Sequence, residues 1–302
     1  MDQSDSRPRA LVTGITGFTG QYLKTELEHL GYQVFGTTQN EDLASPTVRH
    51  IDLRSASEVE SLVHESQPEV VAHLAAVSNV AHGSVDEIYA TNVVGTRSLL
   101  VALAQLDKSP TSVLLASSAN IYGTAASGLD ETAIPSPQND YAVSKLAMEY
   151  AAQLWAEKLP ITIVRPFNYT GVGQSENFLV PKLVRSFAQR QNQLELGNIE
   201  VSRDFSDVRT LVWAYGQLLS KPKPGEIFNV ASGTSTSIKQ ILEFLSEVTN
   251  HTPRVVSIES LKRGNELQNL VGNAEKLWTT IGNPPVSTFE DTLRWMLGAA
   301  KP

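Results

Sequence analysis

Gly14-Ile15-Thr16-Gly17-Phe18-Thr19-Gly20 closes a short apolar run, Ala10 to Thr13, and opens a helical pattern. That pattern runs from Gly20 through Tyr22, Leu23, Leu27 and Leu30 and stops at Gly31. Strand, glycine turn, helix is the order a dinucleotide site needs. Gly14 allows the tight turn, Gly17 lets the backbone approach a pyrophosphate, and Gly20 lets helix pack on strand, while the helix N-terminus faces the phosphates. Thr16, Phe18 and Thr19 complete the expected contact surface. A tight turn without a ligand would use the same glycines, but the strand before and the helix after favour the ligand. The spacing GxxGxxG differs from the GxGxxG of the commonest dehydrogenases.

Moving outward, Gln33 to Thr38, Val48 to Leu53, Glu69 to Ala76, Ser112 to Ala116 and Ile161 to Val164 read as further strands, nearly continuous in apolar residues. Such runs suit parallel strands buried on both faces. Ala56 to Glu65, Ile88 to Gln105 and Tyr141 to Lys158 read as the helices between them. The alternation predicts an α/β, Rossmann-type doubly wound parallel sheet. After Arg165-Pro166 the pattern loosens into short strands such as Glu226 to Val230 and helices at Ile238 to Thr249 and Thr288 to Leu297. The expected division is a dinucleotide domain over 1–168, completed by part of 205–232, and a smaller C-terminal α/β substrate-binding domain over 169–302. A cleft between them is the expected ligand site.

Composition narrows the function. The 302 residues include no cysteine, which excludes disulfides and thiolate metal sites. Hydrophobic residues make up 41% and charged residues 19%, enough to bury a large core. Asp and Glu outnumber Lys and Arg by 32 to 24, with no basic block, so no nucleic-acid or anionic-membrane partner is expected. No stretch approaches the roughly 20 apolar residues of a membrane span, and the acidic N-terminus does not resemble a signal peptide. A cytoplasmic protein is the expectation. His64 and His82 lack ligand-like partners, so no metal is expected.

At the end of the second strand an acid would hold the adenosine ribose and select NAD. Here Thr37-Thr38-Gln39-Asn40 offers hydroxyls and amides instead, with no acid before Glu41 and no arginine to clamp a 2'-phosphate. The reading leans to NADP(H), with NAD(H) still open. Asp52-Leu53 would suit the adenine, although an aspartate there also serves a turn. Tyr141 and Lys145 stand four residues apart, on one helix face. The ammonium would lower the pKa of the phenol, which could then exchange a proton with a substrate carbonyl. Ser118, just after the fifth strand, could hold the same oxygen. His73 is read as a packed strand residue.

In this order the motifs resemble those of the extended short-chain dehydrogenases/reductases that act on nucleotide sugars. The resemblance rests on the glycine turn, His73-Leu74-Ala75-Ala76, Asn92-Val93-Val94-Gly95-Thr96, Ser117-Ser118-Ala119-Asn120-Ile121-Tyr122-Gly123, Tyr141/Lys145 and Arg165-Pro166-Phe167-Asn168. Within that family, the segments 168–174 and 197–209 are similar to those of the GDP-4-dehydro-6-deoxy-D-mannose reductases and the GDP-mannose dehydratases. The resemblance implies Ser118, Tyr141 and Lys145 as the catalytic triad. It implies Leu74, Ala75, Ala76, Asn92 and Pro166 beside the cofactor. It also implies Asn120, Asn168, Val180, Lys182, Arg203, Arg263 and Glu266 beside a GDP-linked sugar, and a homodimer.

Two positions depart from the family pattern. Asn120 stands where the dehydratases carry the carboxylate that takes the C5 proton, and an amide cannot serve as that base. Thr210 stands where many relatives have Asp. The expected activity is therefore a C4 ketone reduction, with a 4-epimerase or dehydratase retaining NAD, and a dinucleotide-sensing binding subunit, as the competing readings.

Overall fold

The computed structural model describes residues 7–77, 84–123, 128–259, 269–284 and 288–300. The chain divides into two compact units. One comprises Met1–Gly123, Ile134–Pro166 and Val212–Phe228; the other comprises Thr124–Ala133, Phe167–Leu211 and Asn229–Pro302.

The first unit is built on β1 (Arg9–Thr13), α1 (Phe18–His29), β2 (Gln33–Thr38), β3 (Val48–His50), α2 (Ala56–Ser66) and β4 (Val70–His73). It continues through α3 (Val85–Tyr89), a π-helical stretch (Ala90–Gly95), α4 (Thr96–Ala104), β5 (Ser112–Ala116), a 3-10 turn (Ala119–Tyr122), α5 (Asp140–Gln153) and β6 (Ile161–Pro166). Later in the chain come β7 (Asn168–Thr170), α6 (Leu179–Ala188), β8 (Gln193–Leu196), β9 (Ser202–Asp207), α7 (Val208–Ser220) and β10 (Ile227–Val230). The last elements are β11 (Ser235–Ser237), α8 (Ile238–Thr249), β12 (Arg254–Ser257), β13 (Asn269–Leu270), α9 (Glu275–Ile281) and α10 (Phe289–Ala299).

The seven-stranded parallel sheet has the order β10-β6-β5-β4-β1-β2-β3. Ala10 of β1 lies between Val34 of β2 and Val70 of β4. The strand order therefore reverses between β1 and β4. Open α/β sheets bind ligands beyond the carboxyl ends of their strands at such a point. Both faces of β4 are buried, which is why its sequence is a continuous apolar run rather than an alternation. Leu11, Val71, Val113 and Leu115 of the sheet pack against Leu62 of α2, Leu99 and Leu103 of α4 and Met148 of α5.

Several elements differ from the sequence reading, among them the fourth strand, which spans Val70–His73 rather than Glu69 to Ala76. The third strand ends at His50 rather than Leu53, because its pairing with β2 covers three residues and the chain then folds back as Ser55 N–H donates to Asp52 O at 2.9 Å. The helix read as Ile88 to Gln105 is α3, the π-helical stretch and α4 in succession. The helix read as continuing to Lys158 ends at Gln153 in tight turns, with Trp155 and Leu159 N–H bonded to Ala152 and Trp155 carbonyls.

In the second unit β9 is the centre of a four-stranded sheet, flanked by β11 and β13 and also paired with β7, while β12 pairs with β8. Its core joins Val180, Leu183 and Phe187 of α6, Ile241 and Leu245 of α8, and Leu293 and Met296 of α10. The ends of α8 match the sequence reading, and Ser237 with Gln240 forms a full capping box at its start. Among the described residues no helix is long and apolar enough to cross a membrane.

Candidate active site

The turn after β1 has the geometry its glycines suggest. Gly14 has φ +71°, and a β-carbon there would press on the Ala75 backbone at 3.1 Å. A β-carbon on Gly20 would collide with the carbonyl of Gly14 and lie 2.7 Å from Ile15 Cα, so only glycine lets α1 seat against the turn. Gly17 is the N-cap of α1 and brings no side-chain acceptor to its first turn. A helix start of this kind suits a phosphate. The turn fits a dinucleotide, since its glycines keep it tight and leave the start of α1 without a side-chain cap.

The hydroxyls at the end of β2 are engaged within the turn. Thr37 Oγ1 accepts from Gly14 N–H at 3.0 Å. Thr38 Oγ1 accepts from Thr16 Oγ1 at 2.9 Å and from Asn40 N–H at 3.1 Å, and donates to Asn40 O at 3.3 Å. Both threonines are buried, whereas Gln39 and Asn40 are exposed. The exposed side chains at this strand end are thus the amides of Gln39 and Asn40, and Asn40 Oδ1 accepts from Asp42 N–H at 3.0 Å. The Asp52 carboxylate is held by Arg54 Nε and Nη2 at 2.9 and 2.6 Å, and that hydrogen-bonded pairing pulls its pKa below the ordinary value. The Leu53 side chain is buried in the core of the first unit.

Beyond β4, the N–H groups of Leu74 and Ala75 both donate to Thr13 Oγ1 at 3.2 Å, with Ala76 next in the chain, also half-buried. Asn92, in the π-helical stretch, accepts from Val77 N–H at 2.8 Å and donates to Val77 O at 3.1 Å. It therefore shapes the loop as a positioning group while itself remaining buried. Pro166 ends β6, half-buried.

Ser118, Tyr141 and Lys145 all belong to the first unit. Ser118 caps the 3-10 turn, its Oγ accepting from Asn120 N–H at 3.2 Å. Asn120 itself is exposed. Asn139 caps α5, so Tyr141 falls in its first turn and Lys145 one turn later. Lys145 Nζ donates to Ala116 O at 2.7 Å and lies 6.0 Å from the centre of the Tyr141 ring. Lys145 is buried, and burial pulls its pKa down to about 8, although the charge of Glu149 works the other way. An ammonium so placed can offset negative charge on a phenol oxygen.

Behind Lys145 stands a group the sequence reading missed. Glu149, one further turn along α5, pairs with Arg165 through Nε at 3.0 Å and Nη2 at 2.7 Å, and Arg165 Nη1 donates to the Tyr122 hydroxyl at 2.9 Å. Burial opposes the guanidinium charge, but the bonds and charge of Glu149 outweigh it and hold its pKa above the ordinary value. The signal in the sequence was the spacing of Glu149 from Lys145, again four residues.

Of the residues assigned to a sugar nucleotide, Asn120 lies in the first unit, and Asn168, Val180, Lys182 and Arg203 lie in the second. Asn168 is exposed on β7, its Nδ2 donating to Asp204 O at 3.3 Å. Arg203 donates to Ser202 O at 2.8 Å, and the exposed Lys182 to Glu195 O at 3.3 Å. The Val180 side chain is buried in the core, so anything it offers a ligand comes from its backbone. Arg263, Glu266 and His82 lie outside the described residues. A cavity of about 860 Å³ in this unit is lined by Ser232, Gly233, Gly272, Asn273, Glu275 and Trp278 among others, and by none of the expected site residues. Among the described residues no cluster of three or more His, Asp or Glu could hold a metal.

Residues 10–231 match the model of the NAD dependent epimerase/dehydratase family. The chain is 34% identical to the GDP-6-deoxy-D-talose 4-dehydrogenase of Aggregatibacter actinomycetemcomitans, over 91% of this chain and 92% of that one. Among solved structures, a Burkholderia cenocepacia J2315 protein provisionally called an epimerase is 46% identical, with a TM-score of 0.94 over 99% of both chains. The structure of RMD from Pseudomonas aeruginosa complexed with NADPH is 32% identical, with a TM-score of 0.85 over 99% of both chains. A glycine cradle on β1, a buried lysine behind a tyrosine on α5 and these likenesses agree, and the chain belongs to the NAD dependent epimerase/dehydratase family of NAD(P)-dependent enzymes.

Proposed function

We propose that the chain uses NADP(H) to reduce the C4 ketone of a GDP-4-keto-6-deoxy sugar, giving GDP-D-rhamnose from GDP-4-dehydro-6-deoxy-D-mannose, or a related GDP-deoxyhexose or heptose. The observation that carries this reading is the placement of Lys145, fixed 2.7 Å from Ala116 O on the strand that leads to Ser118 and one helical turn beyond Tyr141. Gly14, Gly17 and Gly20 with the first turn of α1 would hold the pyrophosphate, and Leu74, Ala75, Ala76 and Pro166 would flank the rest of the dinucleotide. When bound, the cofactor supplies the hydride. Tyr141 gives its phenolic proton to the oxygen emerging at C4, and the ammonium of Lys145 offsets the charge that the phenol oxygen then takes on. The Ser118 hydroxyl holds the same oxygen in place. Asn120 leaves no base at the position where elimination of water would need one.

NADP(H) is favoured by the absence of an acid from Thr37 to Asn40 and by the NADPH in the RMD structure. The GDP-linked substrate is supported by the name of the Aggregatibacter relative, and Asn168, Val180, Lys182, Arg203, Arg263 and Glu266 are its proposed contacts in a substrate domain. A cytoplasmic location and a homodimer belong to the same proposal, the dimer motivated by the exposed apolar side chains Val94, Tyr150 and Leu154 on and near α5, which are 52%, 60% and 82% accessible. A second reading, an NAD-retaining 4-epimerase, is favoured by the name given to the Burkholderia protein and would use the same three residues. The test is a panel of GDP-, dTDP- and UDP-linked 4-keto-6-deoxy sugars assayed with NADPH. Selective oxidation of NADPH with the GDP-linked ketone is the expected result; conversion with no net oxidation supports the epimerase.

A further inference from the structure

At the point where the strand order reverses, a single run of hydrogen bonds leaves the end of β1 and reaches α5. Thr13 Oγ1 accepts from the N–H groups of Leu74 and Ala75, both at 3.2 Å. Its own hydrogen is therefore directed to His73 Nδ1, at 2.7 Å. With Nδ1 an acceptor, the neutral ring carries its hydrogen on Nε2, which donates to Thr96 Oγ1 at 2.8 Å. Thr96 in turn donates to Asn92 O at 2.7 Å. The Asn92 amide donates to Ser144 Oγ at 3.0 Å as well as to Val77 O, and Ser144 donates to Tyr141 O at 2.8 Å. Carbonyl oxygens only accept and the amide N–H only donates, so Thr96, Asn92 and Ser144 donate as stated, and Thr96 is left to accept from Nε2.

We propose that His73 is a positioning residue whose two ring nitrogens serve different ends of the site, Nδ1 the dinucleotide loop through Thr13 and Nε2 the Tyr141/Lys145 helix through Thr96 and Asn92. A packed strand residue could have been apolar, as Val70, Val71 and Ala72 before it are. Instead a polar ring is buried there with both nitrogens matched, an arrangement costly to leave half-satisfied. Burial, with the charge of Lys145 adding to it, pushes the imidazole down to about 3, so the ring keeps its neutral form at working pH. His73 transfers no proton to the substrate. It sets where the 74–77 loop and the first turn of α5 stand. The π-helical stretch fits this role, because Asn92 and Thr96 both lie at it and the widened turn accompanies the bonds they make.

The proposal rests on Tyr141 and Lys145 carrying the chemistry, and its test separates the two ends. An asparagine amide reaches where Nδ1 stands, and a glutamine amide reaches where Nε2 stands. His73→Asn should keep NADPH affinity within about twofold while kcat falls about tenfold, and His73→Gln should do the reverse, the scale expected for one buried group left unmatched. Thr96→Val, which cuts only the Nε2 side, should behave like His73→Asn and serves if a His73 variant fails to fold. Hydrogen exchange at the amides of 141–145 reads the helix end without any sugar: it should quicken in His73→Asn and not in His73→Gln. If the unaltered protein reduces none of the GDP-linked ketones, the reaction assignment fails, and NADPH affinity with hydrogen exchange still decides the role of His73. Equal losses at both ends in both folded variants, or losses at neither, would overturn the proposal.

Discussion

Lys145 Nζ lies 2.7 Å from the main-chain oxygen of Ala116, which pins the cation of α5 to the strand that leads into Ser118. Burial makes that cation costly, and its pKa in the fold, about 8, lies below the ordinary 10.5. Between those values the unfolded chain binds more protons than the folded one, so stability contributed by this group rises as pH rises from about 8 to 10.5. The slope for one proton is at most about 1.4 kcal/mol per pH unit. Urea midpoints across that range should climb in the unaltered protein relative to Lys145→Met, and parallel pH dependences would show that Lys145 is solvated. Reduction should also slow above about pH 8 as the ammonium is lost.

Tyr141→Phe removes the proposed proton donor while keeping the ring. Turnover should fall by about 10² or more, with NADPH affinity nearly unchanged. Retained turnover in steady-state assays would remove Tyr141 from the role of acid.

Glu149 and Arg165 are 3% and 5% exposed, and they hold each other by two bonds. Glu149→Gln leaves a buried guanidinium without its counter-charge and should cost about 3–5 kcal/mol in urea unfolding. The same change removes the charge that supports protonated Lys145, so the high-pH limb of activity should move to lower pH. A loss of stability with no movement of that limb would separate Arg165 packing from any influence on Lys145.

Because Thr38 is buried and bonded to Thr16 and Asn40, cofactor choice is best probed at Gln39, which is exposed. NADPH should serve at least as well as NADH, and Gln39→Glu should shift the ratio of kcat/KM toward NADH by about tenfold through repulsion of the 2'-phosphate. A strong preference for NADH in the unaltered protein would contradict the reading of this strand end.

The glycine turn, the buried strands and the Tyr141/Lys145 pair were legible because each depends on local sequence: a β-carbon that cannot be accommodated, an unbroken apolar run, a four-residue helical spacing. What was not legible depends on residues brought together from afar. Arg165 of β6 meets Glu149 of α5, and His73 meets Thr13 because β4 pairs with β1. The early end of β3 had the same origin, since the apolar Ile51 and Leu53 continue the pattern while the pairing with β2 stops at His50. The bonds that the Thr38 hydroxyl makes to Thr16 and Asn40 within the turn are a partner choice no spacing rule encodes.

The central claim is net reduction at C4, and the most direct measurement follows NADPH and sugar together in one reaction with GDP-4-dehydro-6-deoxy-D-mannose. One NADP+ formed for each 4-keto sugar consumed, with little cofactor carried by the purified protein and no water eliminated from GDP-mannose, is the expected result. Sugar converted without net nicotinamide oxidation, or a 4-keto-6-deoxy product formed from GDP-mannose itself, would contradict it.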